Sequence, residues 1–377
     1  MTIFFQFAGK PFLFQNPAAV ISGWEPRQIP AVFAAVESKL SQGYFAAGFF
    51  SFEAGYVFEK NLAGICRQPN FPLIQIGFYK KPVLNAGPRR GRQNNFSLTG
   101  LRLNISQAEY FSKIAQIREY IAAGDVYQIT YCLKLLFSFR GDPLALYSRL
   151  LHDQPVPYPA YLISDGFSIL SLSPELFVKK TGQRVITKPM KGTWPRGPNS
   201  FADWREYFRF QHDPKNRAEN VMIADLLRND LGKIGRRIQT PRLFEIGKYQ
   251  TLFQMTSTVT GQVDPAVSLY SLFQALFPSG SVTGAPKIRA MEIIRALEPE
   301  ERKIYTGGLG YITPDKDIFF NIPIRTILLQ NGNGEMGIGG GIVWDSTPQG
   351  EWEEGLLKAK FLTNLSDMAM DTLPAGE

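Results

Sequence analysis

The sequence is poor in the two residue types on which many catalytic and metal-binding motifs depend. Its 377 residues include only two cysteines and two histidines. Cys66 and Cys132 are far apart in the chain, so they predict neither a disulfide framework nor a zinc site. His152 and His212 match no nucleophile or metal pattern, and each is interpreted as a surface or capping residue. We therefore expect a reducing compartment and a reaction that does not depend on histidine.

Long apolar runs are absent as well. No apolar stretch reaches the roughly 18 residues that a helix needs to span a bilayer. The first residues, Met-Thr-Ile-Phe-Phe-Gln-Phe, have neither the basic region nor the cleavage site of a signal peptide. The sequence alone thus predicts a soluble, cytoplasmic protein without a membrane partner.

The charge balance is basic but shows one dense basic cluster only. Lys and Arg number 41 against 33 Asp and Glu, which gives a net charge of +8. Such an excess suits nucleic acid, a membrane surface or a small anionic ligand. The dense cluster lies in the stretch 80–95, whose proline and glycine residues indicate a solvated loop. Because no groove-reading motif accompanies this loop, we expect no nucleic-acid partner and favour a small acidic ligand.

What the chain does contain is a mixture of helical and strand patterns. Ser106 and Glu109 form a capping box in front of apolar residues at helical spacing. Pro286 marks the first turn of another helix. Further helices are predicted near residues 28–41, 215–228 and 351–366.

Strand patterns lie between these helices and give the fold class. Strand clusters interrupted by single helices indicate an α+β fold. The linker-like stretch 80–95 divides the chain into an N-terminal layer with its linker over 1–95, a main domain over 105–366 and a tail over 367–377. The predicted strands cover 45–52, 73–79, 126–139, 158–163, 168–172, 176–179, 305–313, 318–329 and 335–344.

The last predicted helix carries charged residues on one face. Glu351, Glu354 and Lys358 recur at helical spacing, and Glu219 on the helix at 215–228 could add a further carboxylate. Such a face is typical of a solvated surface with an ion pair between Glu354 and Lys358, worth only about 0.3–0.5 kcal/mol. It also suits Mg²⁺, which takes one or two carboxylates and keeps several waters. The pattern alone leaves both interpretations open.

Three further segments could bind an anion. Gly339, Gly340 and Gly341 lie in a predicted strand, where they indicate either a bulge or the close approach of a ligand to backbone amides. The turn at 280–287 does not have the lysine position of a Walker motif, but it places Thr283 at a helix start. That start is either an ordinary cap or an anion site. Arg325 offers the planar fork that binds a carboxylate, and together with this turn it would suit a dicarboxylate.

A lysine in a tight turn and an acid on a neighbouring segment form another candidate pair. Lys191 lies in Pro-Met-Lys-Gly-Thr at 189–193, 16 residues after Glu175 of a Ser-Pro-Glu turn. A nucleophilic amine and an acid would suit addition and elimination on a small electrophile. A single lysine in a turn is otherwise typical of a solvated surface charge, so this pair alone is a hypothesis.

Seven segments, taken together and in order, resemble one family. They lie at 124–129, 173–175, 189–193, 218–230, 281–290, 321–326 and 339–346. With them the chain is similar to the chorismate-utilising enzymes, which comprise anthranilate, aminodeoxychorismate, isochorismate and salicylate synthases. The resemblance covers roughly residues 105–365 and is looser over 1–80.

The resemblance implies a fold of two stacked antiparallel sheet layers flanked by helices, with a deep site for Mg²⁺ and chorismate. Glu219 and Glu354 match the family's metal ligands, and Glu351 matches an acidic position beside the metal. Glu175 matches the general acid that helps the C4 hydroxyl leave. The residues that match the substrate pocket are Gln128, Thr283, Tyr305, Arg325, Gly339, Gly340, Gly341 and Lys358.

Two positions distinguish the reactions of this family. Members that add water have a lysine where this chain has Gln128, and a carboxamide cannot deprotonate water, so the resemblance implies ammonia as the nucleophile. Lys191 stands where anthranilate synthases have alanine and aminodeoxychorismate synthases have lysine. In the latter the lysine attacks C2 of chorismate as the C4 hydroxyl leaves, and ammonia then enters at C4 and expels the lysine. The amine must be neutral to attack, which Lys188 and Arg196 could promote as neighbours in sequence.

A third position departs from the family pattern. Gln254 stands where many relatives have a histidine near the substrate. We expect this difference to weaken or alter one substrate contact. We do not expect it to change the class of reaction.

The resemblance also implies partners. We expect a separate glutamine amidotransferase subunit to supply ammonia, because no Cys-His-Glu arrangement surrounds Cys66 or Cys132. A separate aminodeoxychorismate lyase would then form 4-aminobenzoate for folate synthesis, since no fused lyase is expected. Two alternatives stay open: the activity of anthranilate synthase component I, and a catalytically silent subunit that only binds a glutaminase.

Overall fold

Two antiparallel sheets form the frame of the protein. The structure is a computed structural model and describes residues 1–59, 61–67, 70–87, 95–249, 252–363 and 365. Its strands, within these ranges, are β1 (Thr2–Phe7), β2 (Lys10–Phe14), β3 (Ala19–Gly23), β4 (Phe45–Phe50), β5 (Ile74–Tyr79), β6 (Val83–Leu84), β7 (Phe96–Leu103), β8 (Gln128–Gly141), β9 (Tyr158–Ser164), β10 (Phe167–Ser173), β11 (Leu176–Thr181), β12 (Arg184–Lys188), β13 (Met190–Pro195), β14 (Gly235–Lys248), β15 (Leu252–Val263), β16 (Gly284–Ala285), β17 (Gly308–Ile312), β18 (Ile318–Asn321), β19 (Thr326–Gln330) and β20 (Asn333–Ile342).

The helices lie between these strands in the chain. In the described part of the chain they are α1 (Ile29–Ser41), α2 (Ala54–Phe58), α3 (Gln107–Ala122), α4 (Pro143–Asp153), α5 (Ser200–His212), α6 (Pro214–Gly232), α7 (Leu269–Leu276), α8 (Lys287–Leu297) and α9 (Pro348–Thr363). None of these described helices combines the length and the apolar character needed to cross a membrane.

Each sheet takes strands from both ends of the chain. Sheet A has the order β16-β8-β20-β19-β10-β9-β1-β2-β6, and β7 also pairs with β8. Sheet B has the order β13-β15-β12-β11-β18-β17-β4-β5-β3, and β14 also pairs with β15. The predicted N-terminal layer over 1–95 therefore supplies strands to both sheets rather than a sheet of its own. Of its linker, residues 88–94 lie outside the described residues.

The apolar side chains fill three layers. One layer lies between the sheets and includes Phe5 of β1 and Phe49 of β4, both fully buried. A second packs sheet A against α3, α4, α8 and α9. A third packs sheet B against α1, α2, α6 and α7. Because helices pack on the outer side of each sheet, the arrangement confirms the predicted α+β class and its two antiparallel layers flanked by helices.

The local sequence signals place most helices where they were predicted. The Ser106 hydroxyl accepts a hydrogen bond from the Glu109 amide at 3.2 Å, and the Glu109 carboxylate accepts one from the Ser106 amide at 2.8 Å. This reciprocal pair confirms the capping box that begins α3. Pro286 proved to be the N-cap of α8 rather than a residue of its first turn.

The single strand predicted over 318–329 is wrong, because the chain changes sheets there. Strand β18 pairs in sheet B, whereas β19 pairs in sheet A. Pro323 in the connection has no backbone N–H to offer a ladder, and Arg325 adopts a left-handed conformation with φ of 49°. The apolar run continues through the connection because Ile322 and Ile324, which flank Pro323, are also packed against the core.

A second change of sheets lies beside the first and helps to build the site. Strand β10 belongs to sheet A and β11 to sheet B, with Pro174 and Glu175 between them. The two connections are adjacent, since Leu176 pairs with Asn321 and the Ile322 amide donates to the Glu175 carbonyl at 3.1 Å. The two crossings therefore bring Glu175 and Arg325 to the same region of the molecule.

Candidate active site

A cavity of about 390 Å³ opens where the two strand crossings meet the end of β20 and helices α6 and α9. Its wall includes Glu175 and Arg325 from the crossings, Lys191 from β13, Glu219 from α6 and Glu354 from α9. A concave site with charged groups converging from several elements is typical of a site for a small polar molecule.

Lys191 is directed into this cavity by an irregularity in β13. The pairing of β13 with β15 shifts register between Met190 and Thr193, and Gly192 has φ of 89°. Such a bulge re-aims a side chain, and the left-handed φ favours glycine. Burial lowers the pKa of the Lys191 amine, while Glu219 and Glu175 partly oppose that shift. The fraction of neutral amine is therefore larger here than for a surface lysine.

The charges around Lys191 differ from those suggested by sequence proximity. Lys188 forms an ion pair with Glu245 at 3.4 Å, and Arg196 pairs with Asp203. The cation that helps to lower the pKa of Lys191 is instead Lys358 of α9. Lys188 ends β12 and Arg196 follows β13, and each is engaged by its own carboxylate, whereas Lys358 reaches the cavity from a distant helix.

Glu175 is a buried carboxyl group at the same cavity. Its side chain accepts hydrogen bonds from the Ser281 hydroxyl at 2.7 Å and from the Met190 amide at 3.2 Å. Burial raises its pKa from 4.5 to about 7, although these hydrogen bonds and the charge of Lys191 act in the opposite direction. A carboxyl group of this kind can be protonated near neutral pH and can donate its proton.

Three carboxylates make another part of the wall acidic. Burial raises the pKa of Glu219 and of Glu351, and the charge of Glu354 raises both further. The Glu351 carboxylate accepts from the Ser346 hydroxyl at 2.6 Å, and Glu354 pairs with Lys358 at 2.8 Å. The pKa of Glu354 is instead lowered, chiefly by the charge of Lys358. Burial is thus the main cause of the raised pKa values of Glu219 and Glu351, whereas Lys358 balances Glu354.

The acidic wall fits the donor chemistry of Mg²⁺. In the described part of the chain, no three carboxylate, histidine or cysteine side chains are close enough to enclose an ion. Mg²⁺ does not require such a cage, because it binds through one or two carboxylates and completes its shell with water and substrate oxygens. The residues that could hold it are Glu219 and Glu354, with Glu351 beside them.

The glycines of β20 leave room for the polar side chains of the cavity. A methyl group on Gly340 would lie 2.9 Å from Glu351 Oε2, and one on Gly341 would lie 2.8 Å from Lys191 Nζ. The Gly339 carbonyl accepts from Lys358 Nζ at 2.6 Å. Any side chain at Gly340 or Gly341 would thus fill space that the functional groups occupy.

Arg325 supplies the cation suited to an acidic ligand. The guanidinium has no hydrogen-bond or ion-pair partner among the described residues, although it borders the cavity. Burial lowers its pKa, but an arginine stays protonated at any physiological pH. A half-buried guanidinium without a carboxylate partner is a strong site for an acidic ligand, which it can bind with two parallel hydrogen bonds.

Two of the predicted substrate-binding residues lie just behind the wall. Gln128 is fully buried and close to Gly341, and its carboxamide has no partner among the described residues. Thr283 is also buried, and its hydroxyl donates to the Ser279 carbonyl at 3.1 Å. The predicted residues that do line the cavity are Lys191, Glu175, Glu219, Glu351, Glu354, Lys358, Tyr305, Arg325, Gly339, Gly340 and Gly341.

The structure adds wall residues that the sequence did not indicate. Ser281 holds the Glu175 carboxylate, and its place in the 280–287 turn was the available signal. Lys215 and Asn216 line the cavity from the first turn of α6, and Trp194 lines it from β13. Gln254, which the family resemblance did place near the substrate, also lines the cavity, and its carbonyl oxygen has no partner among the described residues.

A model of the family described as chorismate binding enzyme matches residues 3–364. The chain belongs to the chorismate binding enzyme family. This chorismate binding enzyme is 38% identical to anthranilate synthase component 1 of Streptomyces coelicolor over 266 residues, or 70% of this chain and 52% of the relative. It is 36% identical to aminodeoxychorismate synthase component 1 of Escherichia coli K12 over 265 residues, or 70% of this chain and 58% of the relative.

Solved structures with this fold extend the comparison. Anthranilate synthase component I from Streptococcus pneumoniae has a TM-score of 0.79 at 24% identity, covering 93% of this chain and 91% of that chain. The menaquinone-specific isochorismate synthase from Escherichia coli has a TM-score of 0.77 at 16% identity, covering 97% and 88%. These structures confirm the fold. The chorismate binding enzyme spans just over half the length of the two curated relatives named above.

A buried arginine of this chorismate binding enzyme ties three parts of the cavity wall together. The Arg302 guanidinium donates to the carbonyls of Val282 at 2.8 Å and Thr130 at 2.6 Å, and to the Thr306 hydroxyl at 3.3 Å. Val282, Thr130 and Thr306 all line the cavity. Glu298 balances the charge of Arg302 at 2.6 Å, so the whole network is internally paired. A charge-assisted hydrogen-bond network behind the cavity thus joins three segments of its wall.

The raised pKa of Glu175 predicts a stability change in the Glu175→Gln variant. The folded protein holds the proton between about pH 4.5 and pH 7, so the contribution of Glu175 to stability is greatest below 4.5 and declines as the pH rises to 7. At pH 8 the buried carboxylate costs roughly 3 kcal/mol. Glutamine stays neutral, so urea denaturation should show a larger gain over the native chain at pH 8 than at pH 5.

The exposed Glu353→Gln variant serves as the control, because its carboxylate lies on the solvent side of α9 and pairs with Gln349. Its stability relative to the native chain should be the same at both pH values. An equal effect of Glu175→Gln at pH 5 and pH 8 would contradict the assignment of a raised pKa.

Proposed function

We propose that the chain aminates chorismate at C4 to give 4-amino-4-deoxychorismate, the reaction of an aminodeoxychorismate synthase. The observation that carries the proposal is that Lys191 and Glu175 share one cavity in which burial favours the neutral form of each. Relatives of similar identity include both aminodeoxychorismate and anthranilate synthases. The choice therefore rests on the lysine and not on overall identity.

The first half of the reaction uses both groups. The neutral Lys191 amine attacks C2 of the ring, both conjugated ring double bonds shift, and the C4–O bond breaks. The leaving hydroxyl takes the proton of Glu175 and departs as water. The new C2-bound ammonium then returns one proton to the Glu175 carboxylate, which leaves a secondary amine on the ring.

The second half of the reaction breaks the bond between the ring and Lys191. Ammonia attacks C4, both double bonds shift back, and the C2–N bond breaks as the lysine nitrogen takes the proton of Glu175. The C4-bound ammonium gives one proton to the Glu175 carboxylate, so Lys191 and Glu175 end in their starting states. The net reaction replaces a hydroxyl by an amine and releases one water. Gln128 is consistent with ammonia as the nucleophile, because a carboxamide cannot act as a base toward water.

The wall of the cavity suits a substrate with two carboxylates. Arg325 would bind one of them, with a guanidinium that has no other partner among the described residues. Glu219 and Glu354 would hold Mg²⁺, with Glu351 beside them. When bound, the ion would neutralise and orient the ring carboxylate.

The reaction implies two further proteins. A glutamine amidotransferase subunit would supply ammonia, because ammonium, the dominant form near neutral pH, has no lone pair with which to attack. A lyase would then remove pyruvate from the product to give 4-aminobenzoate for folate synthesis.

The Lys191→Ala variant tests the proposal in an assay with chorismate, Mg²⁺ and ammonium chloride. We expect the native chain to form 4-amino-4-deoxychorismate, and the variant to lose roughly two or more orders of magnitude in turnover because its nucleophile is gone. The control is Lys188→Ala, which removes a nearby lysine that pairs with Glu245 instead. Unchanged turnover of Lys191→Ala, or release of anthranilate and pyruvate by the native chain, would overturn the proposal.

The proposed metal site predicts that the Glu354→Gln variant needs more Mg²⁺. Turnover of the native chain should stop in EDTA and return with Mg²⁺, since the carboxylate of the substrate would otherwise face the acidic wall unshielded. The variant should need roughly ten times more Mg²⁺ for half-maximal turnover, because it has one anionic ligand fewer. Calorimetric titration with Mg²⁺ and chorismate gives an independent affinity. A Glu353→Gln control should match the native chain, and equal Mg²⁺ requirements for all three would contradict the site.

A further inference from the structure

Helix α5 presents an unusual row of aromatic side chains to solvent. Phe201, Trp204 and Phe208 are 74%, 60% and 49% exposed. Their spacing places them on one face, and the rings of Trp204 and Phe208 are 5.5 Å apart. The other face of α5 is packed, with Asp203 and Phe210 buried. We call the three exposed aromatic residues the α5 stripe.

The rim of the α5 stripe is basic. Arg205 and Arg209 are 54% and 59% exposed on the same helix. Both pair with Glu206, so one carboxylate faces two guanidinium groups and a positive excess remains. Aromatic and arginine side chains are the types enriched at the centres of protein interfaces. This composition suits a protein partner with acidic residues around an apolar centre.

The α5 stripe lies on a helix that packs against the wall of the cavity. On the packed side of α5, Phe210 stacks on Trp194 at 5.6 Å between ring centres, and Trp194 lines the cavity. Asp213 directly follows α5 in the chain and also lines the cavity, as do Lys215 and Asn216 in the first turn of α6. A protein bound on the α5 stripe would therefore be separated from the cavity by helix α5 and the Phe210–Trp194 pair.

We propose that the α5 stripe is the docking surface for the subunit that releases ammonia, and that this subunit has an acidic rim. The inference rests on the proposed function, because amination needs unprotonated ammonia at the cavity. Release next to the cavity wall shortens the path over which ammonia could be protonated. The helix is about 20 Å long, enough for the centre of an interface of roughly 800 Å² on each partner.

The charge of the rim argues against a second copy of this chain as the occupant. A two-fold dimer through the α5 stripe would bring Arg205 and Arg209 of each copy toward the same residues of the other. The chain also carries a net charge of +8, so the copies repel each other overall. An acidic partner would avoid both the repulsion between the arginines and the repulsion between the net charges.

The test compares ammonium-dependent with glutamine-dependent turnover in a variant of the α5 stripe. The variant is Trp204→Ser/Phe208→Ser, and its matched control is Trp24→Ser, which changes a tryptophan 45% exposed in the loop before α1. The partner is the source cell's own glutamine amidotransferase subunit, produced separately. Turnover is measured with chorismate and either ammonium chloride or glutamine plus this subunit, and sedimentation velocity reports complex formation.

We expect both variants to keep ammonium-dependent turnover within twofold of the native chain. With glutamine, the α5 variant should lose at least tenfold in turnover and should no longer sediment with the partner, whereas Trp24→Ser should behave as the native chain. The proposed docking surface would be wrong if the α5 variant formed the complex as the native chain does, or if it kept native glutamine-dependent turnover. It would also be wrong if the α5 variant abolished a dimer of the native chain or salt-sensitive RNA binding.

Failure of the proposed function gives a different result. If the native chain makes no amino product from ammonium chloride, the proposed amination of chorismate is wrong. Sedimentation of the native chain with the partner still measures docking in that case. A native complex that the α5 variant does not form supports the docking surface by itself.

Discussion

The proposed chemistry depends on the withdrawal of one amine and one acid from water. Lys191 and Glu175 border the same cavity, and the largest effect on each is the removal of its charged form from water. Their mutual attraction opposes both shifts, but it does not reverse either of them. On an open surface the lysine would be protonated and the glutamate ionised, so the pair would form an ordinary ion pair of little energetic value. Removal from water favours the two neutral forms that addition and elimination require.

The fold provides this cavity through two neighbouring changes of sheet. The connections from β10 to β11 and from β18 to β19 both leave one sheet for the other, and they carry Glu175 and Arg325. Helices α6 and α9 bring acidic groups from the outer layers, while the glycines of β20 keep the opening clear. Behind the wall, Arg302 fixes three segments that border the opening. The polar groups of the site therefore come from distant parts of the chain and meet where regular pairing is interrupted.

Local signals in the sequence were enough to predict much of the fold. The capping box at Ser106, the helical periodicities and the apolar runs depend on near neighbours, and the structure confirms the elements that they indicate. The change of sheet inside 318–329 was missed, because an apolar run looks the same whether it stays in one sheet or crosses to another. Pro323 was the local sign of the break. The order of strands in each sheet depends on long-range pairing, which no local pattern encodes.

The candidate site, like the fold, was predicted from the sequence only in part. Resemblance to a family indicated most of the wall residues, but sequence proximity suggested the wrong cations for Lys191. Lys358, which lies 167 positions away, acts on it in the structure, while Lys188 pairs elsewhere. Ser281 and Arg302 act through contacts across the fold, so their roles become visible only when the segments that they join are placed in space.

The most direct test of the account is mass spectrometry of the protein mixed with chorismate and Mg²⁺ in the absence of any ammonia source. Without ammonia the second half of the reaction cannot proceed, so the lysine adduct should accumulate until the reaction is quenched. The account predicts an added mass of one chorismate less one water, carried by the peptide that contains Lys191. An unmodified Lys191 in a preparation that makes 4-amino-4-deoxychorismate once ammonium is added would contradict the covalent mechanism.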